Sequence, residues 1–246
     1  MDPATILEAF DQAAAAVARA VKPVVGADRR ARTERRGQYA IDLLADEAAL
    51  AVLAPLGLPI LSEESGWTGP SGPVSIVLDP IDGSTNCSRG IPYWSISLCA
   101  VDGDGPLAAL VVNQATGLRF AAVRGEGATC DGAPIVPAKT EQVGAALVAL
   151  SGTPAQWLGW KQFRSLGSVA LTLCDVASGA VDGLVDGYAS HAPWDYLGGL
   201  LICQEAGAVV ADAQGRSLTE VGNDVRRQLL AAGTPALLDE LRQALQ

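Results

Sequence analysis

The stretch Val74-Ser75-Ile76-Val77-Leu78-Asp79-Pro80-Ile81-Asp82-Gly83-Ser84-Thr85-Asn86 limits the fold of this chain more than any other. Its apolar run, 74–78, reads as a strand that ends on one carboxylate, turns at a proline and delivers a second carboxylate three residues on. Pro80 biases Asp79 towards extended backbone. Gly83 has no Cβ, so the main chain there can come close to a ligand. Ser84, Thr85 and Asn86 can each cap a following helix, whose free N–H groups would face whatever the acids hold. Two carboxylates and a helix start at one point call for metal ions and an anion together.

The rest of the composition narrows the chemistry. A length of 246 residues at 49% apolar content is ample for one large core or two intimately packed halves. The net charge of -10 argues against nucleic acid as the main ligand, and an anionic substrate would need cations to mediate. The one histidine, His191, rules out a histidine-rich metal cage and, with no second partner in view, reads as a surface or satisfied loop residue. Hard chemistry therefore falls to Asp and Glu, which favour magnesium, calcium or manganese. Cys87, Cys99, Cys130, Cys174 and Cys203 are scattered without paired spacing, as reduced thiols are, and suggest neither a disulfide framework nor a zinc site. No apolar run reaches the roughly 18 residues of a membrane span, and Met1-Asp2-Pro3 lacks a basic leader, so the expected location is the cytoplasm.

Taken in order, 4–25 has helical spacing and an alanine-rich centre. Arg29, Arg30, Arg32, Arg35 and Arg36 follow, either as a solvated basic loop or as a patch for an anion or a partner. A second helix is expected over 39–54, with Asp42 and Asp46 on one face, either exposed or sharing a cation. A short strand, 58–61, ends at Ser62-Glu63-Glu64, the second strand to finish in carboxylates. Strands are expected at 94–101, 107–113 and 118–123, then a turn-rich connection at 125–133. Beyond it come a strand at 145–150, a helix at 168–177, a strand at 181–185, a helix from Pro193 to Ala206, a strand at 208–211 and a last helix at 235–244. Asp195 suits a plain helix cap. Gly198 and Gly199 inside that helix each cost about 1 kcal/mol against alanine, which points to another backbone packed against it.

Glu63-Glu64 after a strand, Asp79-Pro80-Ile81-Asp82-Gly83-Ser84-Thr85-Asn86, Arg164-Ser165-Leu166-Gly167-Ser168, and Trp194-Asp195 opening a glycine-containing helix together resemble the inositol monophosphatase family. These are magnesium-dependent, lithium-sensitive phosphatases. The resemblance implies an α+β fold, a layered αβαβα sandwich of the inositol monophosphatase / fructose-1,6-bisphosphatase type, with halves at 1–138 and 139–246. It implies hydrolysis of a small phosphomonoester, inositol monophosphate or a related sugar phosphate, by metal-activated water, with two or three Mg2+ ions and Mn2+ as a substitute. Glu63 matches the glutamate of the first metal, Asp79 the bridging aspartate, Ile81 a backbone carbonyl ligand, and Asp82 and Asp195 the ligands of the second metal. Gly83 and Ser84 match phosphate-cradling amides. Asp46, with the Ser84 hydroxyl, matches the group that orients the attacking water. A homodimer, with neither membrane nor nucleic acid as partner, is implied as well.

Departures from the family pattern bear on the substrate. Ser84 stands where threonine is commoner, Ser62 where glycine is common, and Cys87 where an aromatic is common. The segment 151–163 looks shortened by roughly one helix. The family's substrate-hydroxyl-binding acid aligns poorly, with Asp186 the best match. The same scaffold serves phosphatases of fructose 1,6-bisphosphate, histidinol phosphate, NADP and nucleotide bisphosphates. A regulatory binding protein docking through the arginine run is the reading from a different class.

Overall fold

In the computed structural model, residues 1–35 and 37–246 are described; Arg36, the last of the arginine run, lies outside them. The first half contains α1 (Pro3–Val21), α2 (Ala40–Leu53), β1 (Ile60–Ser62), β2 (Gly66–Thr68), β3 (Ser75–Asp82), α3 (Ser84–Arg89), β4 (Ser95–Asp102), β5 (Gly105–Asn113), β6 (Arg119–Val123), β7 (Gly127–Cys130) and β8 (Ala133–Pro134). The second contains β9 (Leu147–Ser151), β10 (Gln162–Arg164), α4 (Val169–Ala177), β11 (Gly183–Asp186), α5 (Pro193–Ala206), β12 (Val209–Asp212), β13 (Leu229–Ala232) and α6 (Pro235–Arg242). The strands form an eight-stranded sheet, β2-β1-β3-β4-β5-β6-β7-β8, and a five-stranded sheet, β10-β9-β11-β13-β12.

Helices cover both sheets. Helix α1 buries Ile6, Phe10, Ala13, Val17 and Val21, spaced three or four apart on one face, and α2 buries Ile41, Ala45, Ala49 and Leu53 in the same way. Small alanines on both helices let the pair lie close together on the outer face of the first sheet. Strand alternation sorts the core: Ile76, Leu78, Ile96, Leu98 and Leu110 point to α1 and α2, while Val77, Cys99, Ala109 and Val111 point to the opposite side. There α5 packs against β4 and β5, and α4 packs beside α5 and under the second sheet. Helix α6 closes the far face through Leu237, Leu238 and Leu241. The order is helix pair, sheet, helix pair, sheet, helix, an α+β layered sandwich. Leu61 and Val77 from the first half share one cluster with Leu200 and Leu201 from the second, so the halves are joined by a continuous core. Among the described residues no helix is long and apolar enough to cross a membrane.

Several elements differ from expectation. Strand β3 does not stop at Leu78 but runs through Pro80 to Asp82, with a register shift against β4 between Asp79 and Asp82. The shift accommodates a proline that cannot donate to the ladder, and the Asp79 carboxylate accepts the Ile81 N–H at 2.9 Å in its place. The expected connection at 125–133 contains β7 and β8, held to α5 by the Glu205 carboxylate, which accepts the N–H groups of Gly125 and Gly127. Strands β2, β10 and β13 were not expected. β13 is Leu-Leu-Ala-Ala, with neither alternation nor β-branching, and it is buried along its whole length between β11 and β12.

One ion pair anchors the end of β12. Asp212 accepts the backbone N–H groups of Gln214, Arg216 and Gln228 and two bonds from the Arg216 guanidinium. Burial raises the carboxyl, but these bonds, led by Arg216, outweigh it and hold the group well below the usual range. Arg216 is 39% exposed, so water screens its share. Asp212→Asn is expected to cost about 1–2 kcal/mol at pH 7. The folded carboxyl is depressed, so its contribution is complete above the unfolded value of about 3.9 and disappears as pH falls below it. Urea unfolding of both proteins at pH 7 and pH 3 checks this: the gap should narrow in acid, and a gap that widens would contradict it.

Candidate active site

Parallel pairing of β1 with β3 sets Ser62 opposite Leu78, and the Glu63 N–H donates to the Leu78 carbonyl at 3.1 Å. The next residue on each is an acid, Glu63 just past the end of β1 and Asp79 within β3, so the two carboxylates lie side by side. Asp195 arrives on the first turn of α5, which the Ser97 hydroxyl ties to β4 by donating to the Trp194 carbonyl at 3.1 Å. One carboxylate oxygen from each of Glu63, Asp79 and Asp195 lies within 4.8 Å of the other two. Asp195 is not the helix cap but the third helical residue, and its carboxylate accepts the Ala192 N–H at 2.7 Å.

Such a cluster is electrostatically uncomfortable without a cation. Burial, followed by repulsion from Glu63, Asp82 and Asp195, pushes the Asp79 carboxyl well above the usual carboxylate range. Burial and then Asp195 push Glu63 up to about 8. Asp82 is pushed up to about 6 by burial and Asp195, against the bonds it accepts from the Ser168 hydroxyl and the Ala170 N–H at the start of α4. Hard oxygen donors that repel one another in a buried pocket fit a divalent cation of the magnesium class, which would favour their charged forms.

Beyond Asp82 the chain enters α3 through Gly83, at φ 93°. A Cβ there would stand 3.0 Å from the Gly167 carbonyl oxygen, so the turn before α4 closes directly on the acid turn. Asn86 locks that approach, its amide donating to the carbonyls of Tyr93 and Leu166 at 2.7 Å each. The Ser84 hydroxyl donates to the Ile81 carbonyl at 3.1 Å.

Four positions, Asp46, Asp42, Asp186 and His191, differ from expectation. Asp46 does not reach Ser84: its two oxygens accept the hydroxyls of Ser62 and Ser65, bracing the glutamate turn. One turn earlier, Asp42 is the acid that lies beside Ser84. Burial pushes its carboxyl up to about 7, offset by the Tyr39 N–H, which one oxygen accepts at 2.8 Å, and by the neighbouring Ser84; its other oxygen has no hydrogen-bond partner. Asp186 is not aimed at a substrate hydroxyl. It is fully buried at the end of β11, where it accepts the N–H groups of Tyr188 at 2.8 Å and Leu229 at 3.3 Å. His191 is a loop residue, as expected, but not a surface one. Its ring is 14% exposed, with Nε2 2.9 Å from the Ser151 hydroxyl and 3.6 Å from Asp186, and Nδ1 3.5 Å from Asp195. Burial alone would lower its pKa, but the carboxylates of Asp195, Asp186 and Asp82 outweigh burial and raise it. Its position four residues before Asp195 was the available signal.

The arginine run is not simply solvated. Arg32 stacks 3.6 Å over the Tyr39 ring, Arg29 lies 5.9 Å over Trp94, and Arg35 contacts Glu64 at 3.4 Å. A cavity of about 880 Å³ opens from Asp82 and Asp195 towards the segment that follows β9. No helix occupies that segment before β10.

The sequence profile of the inositol monophosphatase family matches residues 2–246. A Pyrococcus furiosus protein named fructose-1,6-bisphosphatase is 31% identical over 209 residues, covering 84% of this chain and 82% of that protein. A Methanothermobacter thermautotrophicus protein named fructose-1,6-bisphosphatase/inositol-1-monophosphatase is 32% identical over 259 residues, covering 94% of this chain and 92% of its own. A solved Pyrococcus horikoshii structure, described as having similarities to inositol-1 monophosphatase, superimposes with a TM-score of 0.91 over 100% of both chains at 23% identity, a likeness of fold. The profile match runs through the glutamate pair, the acid turn and the Trp194-Asp195 helix alike, and the chain belongs to the inositol monophosphatase family, a family of phosphatases.

Proposed function

We propose that this chain hydrolyses a small phosphomonoester with magnesium as its resident ion and manganese able to replace it. The observation that carries this reading is the meeting of the Glu63, Asp79 and Asp195 carboxylates within 4.8 Å, from strand ends in one half of the chain and a helix start in the other. Glu63, Asp79 and the Ile81 carbonyl would hold one ion, and Asp79, Asp82 and Asp195 a second. Bound there, the ions would neutralise the phosphate, acidify a water and stabilise the departing alkoxide.

The protein's own groups would do the rest. The amides of Gly83 and Ser84 at the start of α3 would orient the phosphate oxygens. Asp42, with the Ser84 hydroxyl and Glu63, would hold the attacking water and accept its proton. Asp46 would act one step removed, by fixing the Ser62 and Ser65 hydroxyls beneath Glu63. His191 would fix the orientation of Asp195. We take the protein to act in the cytoplasm as a homodimer, with the proposed halves 1–138 and 139–246 meeting at the site.

Inositol 1-phosphate and fructose 1,6-bisphosphate, named by the relatives, are the first substrates to assay. Phosphate release from a panel of monoesters should require Mg2+, stop on chelation, return when the ion is restored, and fall with lithium. No release from any ester with Mg2+ or Mn2+ would overturn the reading, and release indifferent to chelation would overturn its metal chemistry.

A further inference from the structure

We propose that the cavity beside the acid cluster receives the alcohol half of the substrate, and that it is built for a flat, largely apolar ring rather than for a polyol. This rests on the phosphatase reading above, which places the phosphate against ions held by Asp79 and Asp195 and against the amides of Gly83 and Ser84. The cavity is continuous with that site, sharing Asp82, Ser168, His191 and Asp195 at its inner end. Its volume of about 880 Å³ is that of a small-ligand pocket, typically about 300–1,000 Å³. Its lining includes the aromatic side chains of Trp157, Trp160, Phe163 and Tyr188 and the aliphatic ones of Leu150 and Leu184.

Two features select against a polyol. Sugar hydroxyls that leave water need partners, and three of the five lining serine and threonine hydroxyls are already engaged: Ser151 with His191, Ser168 with Asp82 and Thr172 with the Ser168 carbonyl, which leaves those of Thr153 and Ser165. Among the described residues no lysine or arginine lines the cavity, so nothing within it pairs with a second phosphate. Two features select for a ring. Trp157, Phe163 and Tyr188 are 73%, 57% and 68% exposed, three large aromatic side chains left in water around one opening. The wall is also held in place. A Cβ on Gly152 would stand 2.7 Å from the Tyr188 ring, a Cβ on Gly187 would stand 2.4 Å from the Thr153 carbonyl oxygen, and Ala189 adopts a left-handed φ of 56°. Two loops are thereby pressed together so that the Tyr188 ring lies over Gly152, a position that stability alone does not require.

Benzyl phosphate and inositol 1-phosphate both release an alkyl alcohol, so their comparison isolates the ring. We expect kcat/KM for benzyl phosphate to exceed that for inositol 1-phosphate. Trp157→Ala and Tyr188→Ala should each shrink that ratio about tenfold, while Trp67→Ala, an exposed tryptophan on the edge strand β2, leaves it in place. A wild type that favours inositol 1-phosphate, or variants that lose both activities equally, would overturn the inference and leave the phosphatase reading intact. If no ester is turned over, the phosphatase reading fails, and calorimetry with benzylphosphonate and Mg2+ then decides the cavity. Weaker binding by Trp157→Ala supports it, and equal binding overturns it. A Trp157→Ala dimer that becomes monomeric with its substrate ratio unmoved would make the aromatic cluster a contact between copies, and would also overturn it.

Discussion

Asp79→Asn is expected to lower kcat at least about a thousandfold, equivalent to about 4 kcal/mol of transition-state stabilisation, while the chain still folds. The change removes one negative charge and little else. Asparagine has the same shape and can still accept the Ile81 N–H that the carboxylate accepts at 2.9 Å. What disappears is the charge that faces Glu63, Asp82 and Asp195 together, and with it the proposed link between two ions. In the absence of metal the variant should be as stable as the wild type or more so, because a buried and repelled carboxylate has been neutralised. With Mg2+ the order should reverse. An ion at a hundred times its dissociation constant stabilises the folded state by about 2.7 kcal/mol, and the variant should lose most of that gain. Phosphate release and thermal melts with and without Mg2+ measure both halves. Activity within tenfold of wild type would contradict the assignment.

Gly199→Ala is expected to destabilise the protein by about 1–2 kcal/mol net, although alanine is the better helix former. Propensity favours the change by about 1 kcal/mol. Packing opposes it: a Cβ on Gly199 would stand 2.5 Å from the Leu173 Cβ and 3.2 Å from the Ala170 carbonyl oxygen, both on α4. The two helices would have to separate inside a core that both sheets share, and such overpacking costs about 1–3 kcal/mol or more. The unfolding midpoint should fall by roughly 2–8 °C. An unchanged or raised midpoint would show that α4 and α5 are not in this contact. Gly198 faces the other way, with Ser97 and Val111 of the first sheet 3.0 and 3.2 Å from its missing Cβ, so the glycine pair fits α5 between a sheet and a helix.

The acid turn was legible in the sequence because its chemistry is local: strand, acid, proline, acid and glycine are contiguous, and each has one strong conformational bias. Glu63 was legible for the same reason, at the end of a short apolar run. Asp195 was legible only through family resemblance, since no spacing rule brings a helix start from the far half of the chain to the end of β3. Asp46 and Asp42 show the limit more finely. They lie one turn apart on the same face of α2, and which of them meets Ser84 depends on how Ala45 and Ala49 settle the helix against its neighbours, a packing register that periodicity does not encode. His191 was legible as a satisfied loop residue but its burial was not, because its partners, Ser151 and Asp186, come from β9 and β11, strands that become neighbours only in the folded sheet. Strand β13 was missed because a strand buried on both faces loses the alternation by which strands are recognised.

In the proposed function, Glu63, Asp79, Asp82 and Asp195 together hold two divalent ions. Anomalous diffraction at the manganese edge, from crystals equilibrated with Mn2+ and phosphate, tests it most directly. At least two peaks are expected, both within coordination distance of Asp79, about 2.0–2.5 Å, one shared with Glu63 and the other with Asp82 and Asp195. A map with no peak at Asp79, or with manganese only at surface carboxylates, would contradict it.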